Sequence, residues 1–254
     1  MRIVVCIKPT PEGSELAISP ETGTLEREKG DLIINPFDLY AVEEAIKIKE
    51  KQKEVEITGI AMAPPKGDSA LREALALGCD RTILLTDREF AGADTLATSR
   101  TLAKAIDKLG FDLVICGMKS TDGDTAQVGP GIAEFLDISH VSWVSSILEL
   151  GEKMVVKQML EDCYREVEVG LPCLITVTKE INDPRLPSFK NKLKAKKAEI
   201  ETWGLENLGL NPQECGLKGS PTRVVKTAHP SYRKEVEFVD EKGFIEELEE
   251  WRIL

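Results

Sequence analysis

The chain has 254 residues, with 33 Lys and Arg against 44 Asp and Glu, for a formal charge of −11. That length can bury one large core or two small ones, and that charge argues against general affinity for nucleic acid or anionic lipid. Two widely separated histidines, His140 and His229, give little support to a His-rich metal site or a His-based triad. In chain order, "RIVVCIK" (Arg2–Lys8) has the β-branched content of a buried strand. "NPFDLYAVEEAIKIKEK" follows, with Phe37, Ala41, Val42, Ala45, Ile46 and Ile48 near helical period and Pro36 at an early helical position. "VEITGIAMA" predicts a second strand and "KGDSALREALALG" a second helix stopped by Gly78. "RTILLT" predicts a third strand, "ADTLATSRTLAKAIDKLG" a third helix and "FDLVICGM" a fourth strand. "QVGPGIAEFL" supplies a fourth helix. Strands alternating with helices imply parallel pairing, right-handed crossovers and helices on both faces, which is a doubly wound, Rossmann-like α/β sandwich.

After Ser139 the texture changes. "VSWVSSILEL", "KMVVKQML", "YREVEV" and "PCLITVT" are β-rich runs between charged turns, so the sheet is expected to extend through antiparallel strands. From Ile181 onward prolines, five lysines between Lys190 and Lys197 and weak apolar periodicity suggest a polar arm. The arm ends in "GFIEELEEWRIL", where Phe244, Ile245, Leu248 and Trp251 share a helical face that needs something to lie on. The expected division is therefore an α/β nucleotide-binding domain over 1–180 and a docking loop with C-terminal arm over 181–254. The six cysteines form no C-x-x-C pair and several lie in apolar runs, as buried thiols in a reducing cytoplasm would. The N-terminal apolar run lacks a cleavage region behind it. No apolar run reaches the roughly 18 residues of a membrane span.

The loop "KSTDGDTAQVGPG" sits after the fourth strand, where ligands bind in doubly wound sheets. Asp124 followed by Gln127 fits a capping box and puts the helix start near Thr125. A phosphate seat on the free N–H groups of that helix start and a plain capped helix in a polar loop both fit the spacing. Gly129 and Gly131 are poor helix-interior residues that permit close approach by a ligand or a neighbouring strand. Neither G-x-G-x-x-G nor a Walker lysine loop is present.

"INPFDLYAVEEAIKIKEK", "ALREALALGCDR", "DLVICGMKSTDGDTAQVGPGIAEFL" and "NDPRLPSFKNKLKAKKAEI" occur in this order, and together they strongly resemble the β subunit of electron-transfer flavoprotein over nearly the whole chain. The resemblance implies pairing with an FAD-bearing α subunit that the C-terminal arm wraps. It also implies electron passage between dehydrogenases and carriers. Carried onto this sequence, the family's adenine-nucleotide pocket falls on Cys6; on Asn35, Pro36, Phe37 and Asp38; and on Met62, Ala63 and Pro64. Its fourth part is Ser120, Thr121, Asp122, Gly123, Asp124, Thr125, Ala126, Gln127, Val128, Gly129, Pro130 and Gly131. The loop would then cradle a pyrophosphate, with Asp122 and Asp124 serving ribose, helix cap or adenine side.

In many family members that pocket holds structural AMP; in electron-bifurcating members it holds FAD. "AGADTLATSRTLAKAI" resembles the second group, which implies FAD with Asp94, Thr95 and Thr98 towards its flavin end and Phe37 or Met118 as an apolar wall. Without the resemblance, Asp94 and Thr98 would only cap and decorate their helix. The bifurcating group further implies hydride uptake from NADH, with one electron passing to ferredoxin or flavodoxin. The other passes through the α-subunit FAD to an acyl-CoA-type dehydrogenase. No side chain is expected to perform acid–base catalysis. A self-contained, stress-protein-like nucleotide-binding module is the rival of another class, and the long polar arm argues against it. The lysine run lacks the aromatic interleaving of a nucleic-acid patch. Two departures from the family stand out: Arg165 occupies a position where a carboxylate is common, and Phe189 replaces a leucine in the docking loop.

Overall fold

The computed structural model describes residues 1–11, 32–225 and 238–251. The first half alternates as expected. β1 (Arg2–Cys6) leads through a short ribbon, β2 (Pro9–Pro11) with β3 (Leu32–Ile34), into α1 (Pro36–Lys51). β4 (Glu56–Met62), α2 (Asp68–Leu77), β5 (Arg81–Leu85), α3 (Thr95–Leu109), β6 (Leu113–Gly117) and α4 (Val128–Leu136) follow. Gly78 ends α2 with φ 145°, and its N–H donates to the Ala74 carbonyl at 3.1 Å. An L side chain rarely adopts that backbone, so the glycine stop has a steric cause.

The second half is β7 (Ser139–Leu150), β8 (Lys153–Met159), β9 (Tyr164–Gly170), β10 (Cys173–Val177), α5 (Phe189–Lys197), β11 (Glu201–Trp203), α6 (Leu205–Leu208) and α7 (Glu241–Glu250). One nine-stranded sheet runs in the order β11-β5-β4-β1-β6-β10-β7-β8-β9. β8 and β9 pair antiparallel, as the sequence suggests. "PCLITVT" corrects that expectation: β10 inserts between β6 and β7, parallel to both. All five of its residues are buried. A strand with no polar face belongs in the sheet interior, covered on both sides.

Alternate residues of the parallel strands feed two cores. Ile3, Val5, Ile57, Leu113, Ile115 and Ile175 pack beneath Ala41, Val42 and Ala45 of α1 and Leu71 and Ala74 of α2. Val4, Cys6, Ile60, Ile83, Val114, Cys116 and Leu174 face Leu102 and Ile106 of α3 and Ile132 and Ala133 of α4. The period-two pattern thus becomes a three-layer sandwich. Because β1 leads to β4 on one side while α3 returns the chain to β6 on the other, the connections diverge between β1 and β6.

From Asn182 to Trp203 the polar segment lies against the chain's own layers. Asn182 and Arg185 bind α1, α5 packs on α2, and β11 adds a parallel edge strand beside β5 with Trp203 buried. A three-residue strand is too short to leave a period in the sequence. All six cysteines are unpaired; only Cys163 is exposed. Among the described residues no helix is long and apolar enough to cross a membrane.

Candidate functional site

β1, β4 and β6 are adjacent parallel strands, so Cys6, Met62 and Gly117 end at the same edge of the sheet. Around that edge the structure gathers the exits of β1, β4 and β6 and the start of α1. Asn35 is 1 % exposed and fully engaged. Its backbone N–H donates to the Lys8 carbonyl at 2.9 Å, its Nδ2 donates to the Lys119 carbonyl at 2.9 Å, and its Oδ1 accepts the Thr121 N–H at 3.2 Å. It braces the loop after β6 against the exit of β1. Pro36 opens α1, and Phe37 lies with its ring 5.7 Å from Lys119 Nζ.

Asp38 sits beneath them, buried, accepting the Lys8 N–H at 2.7 Å. Burial pushes its carboxyl up to about 7, against the hydrogen bonds from the Lys8 N–H, the Asn35 side chain and the Gly117 N–H. Gly117 is required here because a Cβ would stand 2.4 Å from Asp38 Oδ1 and 2.7 Å from the Phe37 carbonyl carbon. Cys6, at the end of β1, and Cys116, one residue before the end of β6, lie on the same face of neighbouring strands. The hydrogen bond with Cys6, then burial, raises the Cys116 thiol well above its usual range. Met62 and Ala63 are half-buried and Pro64 exposed; the Ala63 N–H donates to the Leu85 carbonyl at 3.1 Å.

The loop is cross-braced by charge. Lys8 Nζ reaches Asp122 Oδ1 at 2.5 Å and Ser120 Oγ at 3.2 Å, and Lys119 Nζ reaches Asp124 Oδ1 at 2.8 Å. Asp122 is nearly buried, whereas Lys8 stays partly exposed. Gly123 packs near Ser120 and Lys8, its would-be Cβ 3.3 Å from Ser120 Oγ and 3.5 Å from Lys8 Nζ.

The capping-box expectation is corrected. α4 starts at Val128, not near Thr125, and Asp124 and Ala126 have left-handed φ values of 54° and 55°. Asp124 is spent on Lys119, and Gln127 at the N-cap makes no side-chain cap bond. Thr125 and Gln127 therefore belong to the approach to the helix. Pro130 has no N–H, so the first-turn donors of α4 are those of Val128 and Gly129.

Of the two roles the sequence leaves open for these glycines, close approach to a neighbouring strand is the one Gly129 fills. A Cβ on Gly129 would stand 2.6 Å from Thr176 Cγ2 on β10, and one on Gly131 would stand 2.6 Å from Ser99 Oγ on α3. They seat α4 on the sheet and on α3.

α3 begins beside this helix. Thr95 Oγ1 donates to Gln127 Oε1 at 3.5 Å, and Ser99 Oγ donates to the Val128 carbonyl at 3.2 Å. Asp94 caps α3 by accepting the Leu96 and Ala97 N–H groups, each at 3.0 Å. Its other oxygen accepts the Thr222 N–H at 3.0 Å and the Thr222 hydroxyl at 2.8 Å. Burial works to raise this carboxyl, but the bonds from Ala97, Thr222 and Leu96 outweigh it and hold the group below the usual carboxylate range. Thr98 is half-buried one turn on, its N–H bonded to the Asp94 carbonyl.

The two helix starts therefore differ. α3 is closed by its own cap, while α4 offers first-turn donors and a positive dipole end without a side-chain cap, which suits an anion. Sequence reasoning missed Lys8, Gly117, Ser220 and Thr222. Lys8 stands just past a strand exit, where the topology directs attention. The Ser220 hydroxyl accepts the Asp94 N–H at 2.8 Å from 126 residues away, and no local pattern signals that. Arg165 donates to Gln158 on β8 at 2.7 Å, and Phe189 is 77 % exposed at the start of α5. Among the described residues no three His, Cys, Asp or Glu side chains are grouped to hold a metal ion.

Residues 22–208 match the electron transfer flavoprotein domain family. The chain is 50 % identical over 232 residues to "Electron transfer flavoprotein subunit beta" of Thermoanaerobacterium thermosaccharolyticum, covering 91 % of this chain and 89 % of that protein. It is 45 % identical over 231 residues to "Caffeyl-CoA reductase-Etf complex subunit CarD" of Acetobacterium woodii, covering 91 % and 88 %. With "Protein FixA" of Azorhizobium caulinodans it shares 41 % identity over 244 residues, covering 92 % and 86 %.

Proposed function

The chain belongs to the electron transfer flavoprotein family as a β subunit, and from that premise we propose that it binds FAD and works in flavin-based electron bifurcation. In this reading the assembled heterodimer takes hydride from NADH. It delivers one electron to ferredoxin or flavodoxin and the other, by way of the α-subunit FAD, to an acyl-CoA-type dehydrogenase. FAD, when bound, supplies both the hydride and the one-electron chemistry. The chain's own residues hold and orient it. The α4 start, through Val128 and Gly129, provides the anion seat, and the Lys8–Asp122 and Asn35–Lys119 braces fix the loop that carries it. Phe189, exposed at the head of α5, serves as the docking residue for the dehydrogenase.

The observation that carries the FAD reading is the second helix start beside the first. Thr95 on α3 meets Gln127 ahead of α4, so the two helix starts adjoin, which supports a ligand that runs from the α4 start towards Thr95 and Thr98. A relative named as part of a caffeyl-CoA reductase complex supports an acyl-CoA-type partner. One observation favours AMP in this subunit, with a non-bifurcating role. All four hydrogen bonds to the Asp94 carboxylate come from the chain itself, leaving it little to offer a flavin. Co-purification with the α subunit, followed by extraction and counting of ligands, decides between them. Two FAD per heterodimer is the expected result; one FAD with one AMP would end the bifurcation proposal and leave the electron-transfer role in place.

A further inference from the structure

α5 is a helix that has little reason to exist by itself. Nine residues fall below the length at which isolated helices persist in water. Lys190 with Lys194, and Lys192 with Lys196, place like charges at the i,i+4 spacing that disfavours a helix. Its apolar residues point the wrong way for a core: Phe189 is 77 % and Leu193 50 % exposed, and only Ala195 is buried. Leu186, just ahead of it, is exposed as well.

Two arginines hold this segment from either side. Upstream, Arg185 straddles two turns of α1. Its Nε and backbone N–H donate to Glu43 Oε2 at 2.9 and 3.1 Å, and its Nη2 donates to Glu43 Oε1 at 3.0 Å. Its Nη1 and Nη2 donate to the two oxygens of Glu50 at 2.5 and 3.0 Å. Planar forks on both carboxylates fix direction as well as distance. Asn182 adds bonds to the Tyr40 carbonyl at 3.1 Å and to Glu44 at 2.9 Å. Downstream, Nη1 of Arg72 on α2 donates to the carbonyls of Ala195, Lys196 and Ala198 at 3.1, 3.1 and 2.8 Å, while Asp68 holds its Nε at 3.1 Å. A cation on the last carbonyls of a helix satisfies acceptors that have no partner within it.

We propose that Arg185 and Arg72 are positioning residues that staple α5 at both ends and present its outward apolar face, preformed, to the dehydrogenase. The inference rests on the docking role proposed for Phe189. A docking surface already ordered before encounter avoids the ordering cost that a loose segment meets on binding. Loosening a staple therefore weakens docking without touching the flavin site.

The test uses the heterodimer with the α subunit and a bacterial short-chain acyl-CoA dehydrogenase as the probe partner. Arg72→Met removes the downstream staple, and Glu50→Gln loosens the upstream fork without stranding the buried Glu43. Each is expected to raise KM for the dehydrogenase about tenfold, with kcat, FAD content and NADH oxidation unchanged. Amide exchange should quicken over 186–198 alone. In a Phe189→Ala background the same changes should add little, because both act through one docking face. If KM stays within about twofold of native in both staple variants while Phe189→Ala raises it, the stapling inference is overturned and the docking role stands. Loss of FAD or exchange spreading through the sheet would also overturn it, by showing a merely structural role. If Phe189→Ala itself leaves KM unchanged, the docking role fails and the inference with it.

Discussion

At the scale of single residues, the absence of a side chain at 129 does as much as the presence of one elsewhere. α4 can lie this close on β10 only because residue 129 has no Cβ, which would stand 2.6 Å from Thr176 Cγ2. Gly129→Val is expected to push the helix off the sheet, at a cost of about 1–3 kcal/mol. It should release the β-subunit nucleotide while the α-subunit flavin stays bound, which flavin counting and a melting curve on the heterodimer would check. Asp38 makes a prediction of the opposite kind. Its folded carboxyl lies near 7, above its ordinary 3.8, because burial disfavours the charged form. The folded state then binds more protons than the unfolded state between those values. Stability should decline as pH rises from about 4 to about 7 and level off above that window. Asp38→Asn should flatten this slope in urea titrations across the window; an unchanged slope would show that another group titrates there.

At the scale of elements, one carboxylate joins two parts of the chain that sequence separates by 128 residues. Asp94 caps α3 with one oxygen and holds Thr222 with the other. Asp94→Ala should cost about 1–2 kcal/mol through the lost cap and free the segment near 216–222 for proteolysis. Thr222→Val, which keeps the cap, should reproduce the proteolysis with less loss of stability. Equal effects of the two on stability would mean that the cap contributes nothing. The elements also show how far patterns carry. The β1–α1–β4–α2–β5–α3–β6 run was legible because its strands and helices each bury a face at their own period. β10 was legible as a strand but not by its neighbours. β11 was not legible at all, since three residues carry no period and its partner β5 lies far back in the chain.

At the scale of the whole molecule, the described C-terminal helix still offers a surface. α7 is capped by Asp240, and Phe244, Ile245 and Trp251 are each at least half exposed. Burial of such side chains is worth roughly 1.5–3 kcal/mol apiece, so we propose that the α subunit covers them. The isolated chain is then expected to be poorly stable or to aggregate. Phe244→Ser with Trp251→Ser should weaken heterodimer formation in sedimentation experiments. A monodisperse, thermally stable lone chain would contradict this.

What the sequence by itself determined was the layered α/β class, the short motifs and the family. Each is local, because apolar period, helix punctuation and motif spacing are written within a few turns of chain. Only the tertiary structure decided that β10 enters the middle of the sheet, that Gly129 meets β10 and Gly131 meets α3, and that α4 starts at Val128. It also decided that Lys8 braces Asp122 and that Arg185 and Arg72 grip α5. These depend on which surfaces meet when two buried faces and nine strands close around one another, and side chains more than a hundred residues apart then become neighbours.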